Sequence, residues 1–186
     1  TRGRIVSAAW KLFYEQGYED TTVEEIIELS GTSKGSFYHY FDGKDALLST
    51  LSSLFDEKYE ELTGLLTPEM TAMEQLLFLN RELFHMIEDS ISLDLLARLY
   101  STQLTTNGEK HLLDHNRIYY KLLRKIIAKG QAEGQLSSRS NVNEMVKLYA
   151  LCERALLYDW CLCAGEYALT EYSAKVLPGF LSSFLP

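Results

Sequence analysis

The stretch from Thr22 to Phe41, TVEEIIELSGTSKGSFYHYF, decides how the rest of the chain is read. Thr22 and Glu25 have the spacing of a capping box, in which a threonine hydroxyl and a glutamate three residues on satisfy each other's orphan backbone N–H groups. Val23, Ile26 and Ile27 give that helix an apolar face. Ser30-Gly31 stops it, because glycine takes the left-handed conformation of a tight helix-to-helix turn at little cost. Thr32 or Ser33 can cap a second helix. There Phe37 and Phe41 stand four apart and share a face, predicted to point toward Ile26 and Phe13, which leaves Lys34, Ser36, Tyr38 and His39 for other surfaces. Two short helices joined at a glycine, the second polar on one side and aromatic on the other, form a helix-turn-helix whose second helix fits the DNA major groove.

Periodicity extends this reading in both directions. Ile5, Ala8, Ala9, Leu12 and Phe13 form the apolar stripe of a preceding helix that Gly17 ends. From Lys44 a longer helix is predicted through Leu47, Leu51, Leu54, Phe55 and Leu62, running out at Thr63-Gly64 and Pro68. Beyond it, apolar-periodic segments cover about 70–88, 91–104, 112–132, 142–164 and 170–184. Turns fall at Asn107-Gly108, at Gly134 with Ser137 and Ser138, and at Gly165. Pro178-Gly179 is expected to kink or split the last segment, since proline removes a helix hydrogen bond and clashes with the preceding turn. No strand-like alternation occurs, so the chain is expected to be all-α.

Composition narrows the function classes. The chain has 186 residues, 46% hydrophobic and 24% charged, enough for a large core. No apolar run reaches the roughly 20 residues that span a bilayer, and three cysteines near the C-terminus do not form a secreted disulfide framework, so a reduced, cytoplasmic setting is expected. Within one helix, Cys161 and Cys163 face different sides, and Cys152 and Cys163 stand about 16 Å apart by helical rise, so neither pair can close a disulfide. Inert burial is the plain reading of these thiols. His111 and His115 have an i, i+4 spacing open to two metal ligands, yet no third ligand is evident, so no metal or other cofactor is expected. Phosphate loops, nucleophile elbows and paired catalytic carboxylates are absent from the sequence, which argues against an enzyme.

Charge opposes the DNA reading at first sight. The net charge is −8, and residues 1–48 carry five basic against eight acidic side chains. A DNA footprint must therefore be local: Lys34 and Lys44 bracket the second helix, His39 lies between them, and most carboxylates fall earlier in the sequence. A basic arm preceding Thr1 would extend it.

The first 48 positions closely resemble the DNA-binding domain of TetR-type transcriptional regulators. The resemblance is carried by Ala8-Ala9, Leu12-Phe13, Gly17-Tyr18, Thr21-Thr22-Val23, Ile26, Gly31 through Phe41, and Lys44-Asp45-Ala46-Leu47, while Thr32 replaces a more usual small apolar residue. In the remaining three quarters only the helix count and Gly130-Gln131-Ala132-Glu133-Gly134, which looks like the end of a long family helix, match. The resemblance implies about nine helices: a DNA-binding domain over 1–48, with its helix-turn-helix at 22–41, and a ligand-binding and dimerisation domain over 49–186. It assigns DNA contacts to Thr22, Ser33, Lys34, Gly35, Ser36, Tyr38, His39 and Lys44, with Lys34 the direct reader and Lys44 on a phosphate. Phe37, Tyr40 and Phe41 are assigned mainly to packing.

In the second part, Tyr100, Gln103, Asn116, Tyr120, Tyr149, Glu153 and Trp160 are polar-tipped residues on apolar segments, the composition of a ligand pocket. Glu153 and Asp159 among these aromatics suit a cationic compound, but Arg117 and Arg154 could neutralise them. Leu156, Leu157, Tyr172, Val176, Phe180 and Phe184 exceed what one core needs and are expected to form a two-fold dimer interface. The expected partners are a palindromic double-stranded operator, a small-molecule effector and a second copy of the chain, with no membrane. The implied function is a ligand-released repressor. The competing reading is a helical small-molecule or protein-binding module that has lost DNA binding, which the acidic balance suits.

Overall fold

The computed structural model describes residues 1–105, 107 and 110–186. They are helical throughout, without a strand among the described residues: α1 (Arg2–Gln16), α2 (Val23–Ser30), α3 (Lys34–Tyr40), α4 (Lys44–Leu48), α5 (Leu51–Thr63), α6 (Ala72–Ser90), α7 (Leu93–Thr105), α8 (Ile118–Ala132), α9 (Val142–Leu162) and α10 (Leu169–Leu181), with 3₁₀ turns at His111–Leu113 and Ser182–Phe184. The turn expected at Asn107-Gly108 falls, at Gly108, outside the described residues.

The chain separates into two compact units. Thr1–Leu54 with Ser92–Leu112 form one, and Phe55–Ile91 with Leu113–Pro186 form the other. The first therefore holds more than residues 1–48, because α7 packs against α4. Its core gathers Ile5, Ala9, Phe13, Ile26, Phe37, Phe41, Leu47 and Leu96, as the helical stripes predict. The second unit is built on α6, which packs against α8 and α10, with α9 against both of those helices. Gly130 lets α8 close on α6, since a Cβ there would lie 2.6 Å from that of Ala72. The N-terminus of α10 lacks a cap of its own, and Glu88 of α6 supplies one, accepting from the backbone N–H groups of Leu169 at 2.6 Å and Thr170 at 2.9 Å.

Two helix expectations change. The helix predicted from Lys44 breaks at Ser49-Thr50, giving α4 and α5, so there are ten α-helices among the described residues. Ser49 and Thr50 hydroxyls donate to the carbonyls of Ala46 and Leu47 three residues back, and Trp10 Nε1 holds Thr50 Oγ1 at 2.8 Å. Such local side-chain bonds compete with the helical ladder. Conversely, α10 runs through Pro178 to Leu181 unsplit. The proline removes one bond near the helix end, on an exposed flank, and the turn tightens to 3₁₀ only at Ser182.

Candidate nucleic-acid interface

The capping box at Thr22 forms as its spacing requires. Glu25 N–H donates to the Thr22 hydroxyl at 3.2 Å, and Glu25 Oε2 accepts from the Thr22 backbone N–H at 2.7 Å. These bonds hold the Glu25 carboxyl below the usual carboxylate range, the backbone bond from Thr22 most of all. Gly31 adopts φ +59° and ψ +36°, the left-handed cap that turns the chain into α3. Thr32 fits because its hydroxyl bonds that of Ser30 at 2.7 Å. Ser33 caps α3 by accepting from Ser36 N–H at 3.1 Å, and its hydroxyl donates to Ser36 Oγ at 3.0 Å.

This pins down a short helix with Phe37 buried and Lys34, Gly35, Tyr38 and His39 exposed, while Ser36 is half-buried. Lys34 Nζ rests 3.9 Å from Glu24 with both side chains over 70% exposed, a pair too weakly held to withhold the ammonium from a phosphate or a base edge. The same ammonium lies 6.0 Å from the Tyr38 ring centre. A Cβ on Gly35 would meet only Ser33 Oγ at 3.9 Å. Nothing inside the protein, then, demands a glycine there.

Two assignments need correction. Tyr40, expected to pack, is 43% exposed and sets its ring against that of His39. Lys44, expected on a phosphate, donates to the carbonyls of Tyr18 at 2.6 Å, Thr21 at 2.8 Å and Glu19 at 3.2 Å. An ammonium has three N–H groups, and all three are engaged. The Tyr18 ring lies 4.4 Å from this ammonium, and the Tyr18 hydroxyl donates to Asp45. Burial, followed by the Asp45 bond, pushes that hydroxyl well above the ordinary tyrosine range. Lys44 is a clamp across the start of α4.

Residues 5–51 match the model of the bacterial regulatory proteins of the tetR family. Over these residues the chain is similar to the TetR family. The HTH-type regulator YuxN of Bacillus subtilis is 41% identical over 64 residues, 34% of this chain and 22% of that protein. The fatty acid metabolism regulator protein of the same organism is 23% identical over 178 residues, covering 94% of this chain and 90% of that one. The chain spans between 22% and 32% of the length of the curated relatives that match its head at 35% identity or more. Among solved structures, Thermus thermophilus FadR, a TetR-family repressor in complex with lauroyl-CoA, superposes with a TM-score of 0.79 and 26% identity over all of this chain and 96% of that one.

Outside the matched head, the seven candidate pocket residues are divided between the two units. Tyr100 and Gln103 lie on α7 in the first unit, where Gln103 Oε1 accepts from Leu112 N–H at 3.2 Å. In the second unit Asn116 is exposed on a turn, and Trp160 Nε1 donates to the Tyr167 carbonyl at 2.9 Å. Tyr120 accepts from Arg154 at 3.2 Å and lies against the His115 ring, and the Tyr149 hydroxyl donates to the Leu76 carbonyl at 2.8 Å. His111 sits in a 3₁₀ turn that ends before His115, so the i, i+4 pair does not share a helix.

The remaining candidate, Glu153, is 4% exposed and accepts from Asn80 Nδ2 at 2.9 Å and from the Tyr119 hydroxyl at 2.5 Å. Ser173 extends this buried chain by donating to Asn80 Oδ1 at 2.5 Å. Burial raises the Glu153 carboxyl above its ordinary range, opposed by the Tyr119 and Asn80 donors. A groove of about 630 Å³ between α6 and α10 has Asn80 and Ser173 in its lining, and none of the seven candidates lines it. Sequence reasoning missed Asn80 and Ser173, because a lone amide and a lone hydroxyl on amphipathic helices carry no spacing signal.

The dimer candidates also divide. Leu156, Leu157 and Phe184, 6%, 4% and 2% exposed, are buried within the chain itself, whereas Tyr172 is exposed and Val176 and Phe180 half-buried. The apolar surface of α9 is instead Leu151, Ala155, Tyr158 and Leu162, spaced i, i+4, i+7 and i+11, with exposures of 47%, 52% and 70% for Leu151, Tyr158 and Leu162. That spacing was present in the sequence as one narrow helical stripe.

Proposed function

We propose that the protein is a cytoplasmic, ligand-responsive TetR-type repressor, not an enzyme, that binds a palindromic operator as a homodimer. The observation that carries this reading is the exposed N-terminal turn of α3, where Ser33, Lys34, Gly35 and Ser36 are presented beyond a sealed aromatic core. Residues 1–48 supply the reading head and 49–186 the ligand and dimer functions. Lys34 and Ser36 face base edges, Thr22, Tyr38 and His39 face phosphates, and Gly35 admits the backbone close to the duplex. The exposed stripe of α9 with Tyr172 and Val176 of α10 forms the two-fold interface. A dimer sets two reading helices about 34 Å apart, one helical turn of DNA. The effector acts by preferring a dimer geometry in which that spacing is lost. Lauroyl-CoA, bound by the Thermus thermophilus relative, is the first effector to try.

The test is selection of duplexes from a random pool by the purified protein, followed by anisotropy titration at low salt. An inverted repeat bound tightly by the wild type and lost with the monomerising Leu162→Glu supports the reading. No sequence preference at low salt favours the binding module without DNA function.

A further inference from the structure

The buried polar chain of the second unit ends in the groove between α6 and α10. Ser173 and Asn80, 1% and 3% exposed, both line that groove. The direction of the protons is set by the carboxyl at the far end: were the Asn80 amide reversed, its carbonyl would face a Glu153 oxygen. Ser173 therefore donates inward to Asn80, Asn80 to Glu153, and Tyr119 to the other Glu153 oxygen. Burial holds the Tyr119 hydroxyl well above the ordinary tyrosine range, so it remains a donor. What this chain leaves uncommitted is the lone pairs of Ser173 Oγ, in a residue that lines the groove, an acceptor polarised by the carboxyl behind it. Of the two arginines expected to neutralise this region, Arg117 pairs with Asp56 at 3.0 Å, while Arg154, bonded to the Tyr120 hydroxyl, still acts on Glu153 and helps to lower its carboxyl.

The walls repeat that polarity. Leu77, Phe78 and Leu177 supply apolar surface, and the carboxylates of Glu69 and Glu74 line the same groove. Bonds from the Thr67 hydroxyl and the Thr71 backbone, respectively, hold both below the usual carboxylate range. Among the described lining residues the cation is Arg81, which pairs with Glu82 at 2.9 Å on a largely exposed flank and lies 5.5 Å from the Phe78 ring centre. On α10, Ala174 and Pro178 of the groove stand roughly 160° around the helix from Tyr172 and Val176. A partner on that opposite flank leaves the groove open.

We propose that this groove binds a protonated amine on an apolar body, its ammonium donating to Ser173 Oγ within the field of Glu69 and Glu74, and its body lying on Leu77, Phe78 and Leu177. The proposal names the class of effector and so rests on the ligand-responsive reading above. An anionic ligand would meet like charge in this groove.

Calorimetry on the whole protein with 4-phenylbutylamine, 4-phenylbutanol and 4-phenylbutyrate tests the class with one hydrocarbon and three head groups. The amine is expected to bind about tenfold or more tightly than the alcohol, with no measurable heat from the carboxylate. Ser173→Ala and the double variant Glu69→Gln, Glu74→Gln are each expected to weaken the amine about tenfold. Glutamine at 74 keeps the capping box, so the double variant stays folded even if Ser173→Ala does not. Equal binding of amine and carboxylate, no binding of the amine, or unchanged amine affinity in the double variant would overturn the proposal. Operator release is read separately by anisotropy. Amine binding without release supports the groove chemistry and overturns the effector reading, while release by lauroyl-CoA from a protein that ignores the amine overturns the groove proposal alone.

Discussion

Between Thr22 and Phe41 the bonds that shape the helix-turn-helix close within two to five residues, whereas the buried chain of the second unit joins Asn80 to Glu153 across 73 positions and to Ser173 across 93. The first region presents its functional side chains outward on a helix fixed by its own caps. The second hides its polar groups inside, and their arrangement depends on four helices arriving together. Local rules can therefore be read directly from sequence in the head, and the same rules say little about the second unit. A difference in fragility follows as well, because a surface reader can be removed at little cost in stability, while removing a buried acceptor strands its donors.

The largest effect is expected where the chain is least local. Glu153→Ala strands the Asn80 and Tyr119 donors in the core and should lower stability by about 3 kcal/mol in urea unfolding. A loss below about 0.5 kcal/mol, the ordinary surface range, would show that the chain is not load-sharing. Next, Lys44→Met removes an ammonium that bonds three carbonyls and should cost about 2 kcal/mol of stability. Its salt slope on DNA should stay at the wild-type value, and a slope reduced by about one phosphate would restore Lys44 to the backbone contact first expected of it. Gly31→Ala places a Cβ at φ +59° and should destabilise by about 1 kcal/mol. The smallest change in stability belongs to Gly35→Ala, which should gain a few tenths to about 1 kcal/mol as a helical glycine is replaced, yet weaken operator binding. If Gly35→Ala bound DNA as well as the wild type, close backbone approach at this position would be refuted.

What was legible follows the same division. The capping box, the Gly31 turn and the buried Phe37 and Phe41 were all written in spacings of three and four, and the TetR resemblance rests on that same stretch. The Lys44 clamp was not, since the carbonyls of Tyr18, Glu19 and Thr21 are backbone groups that leave no mark on residue identity. Nor was the exposure of Tyr40, because an aromatic on a short amphipathic helix reads as core whichever way it turns. On α9 the outward stripe was present in the spacing of Leu151, Ala155, Tyr158 and Leu162, but the inward neighbours Leu156 and Leu157 are equally apolar, and only packing tells one face from the other. Ser49-Thr50 broke a helix through hydroxyls that a hydrophobic pattern does not weigh.

The most direct test of the central claim is the salt dependence of binding by wild-type and Lys34→Ala protein on the selected operator and on a scrambled duplex. With Lys34 as a reader of base edges, the variant should lose about 2 kcal/mol on the operator and far less on the scrambled duplex, so that the gap between the two narrows. Equal losses on both duplexes, with the gap intact, would contradict the assignment of sequence choice to the first turn of α3.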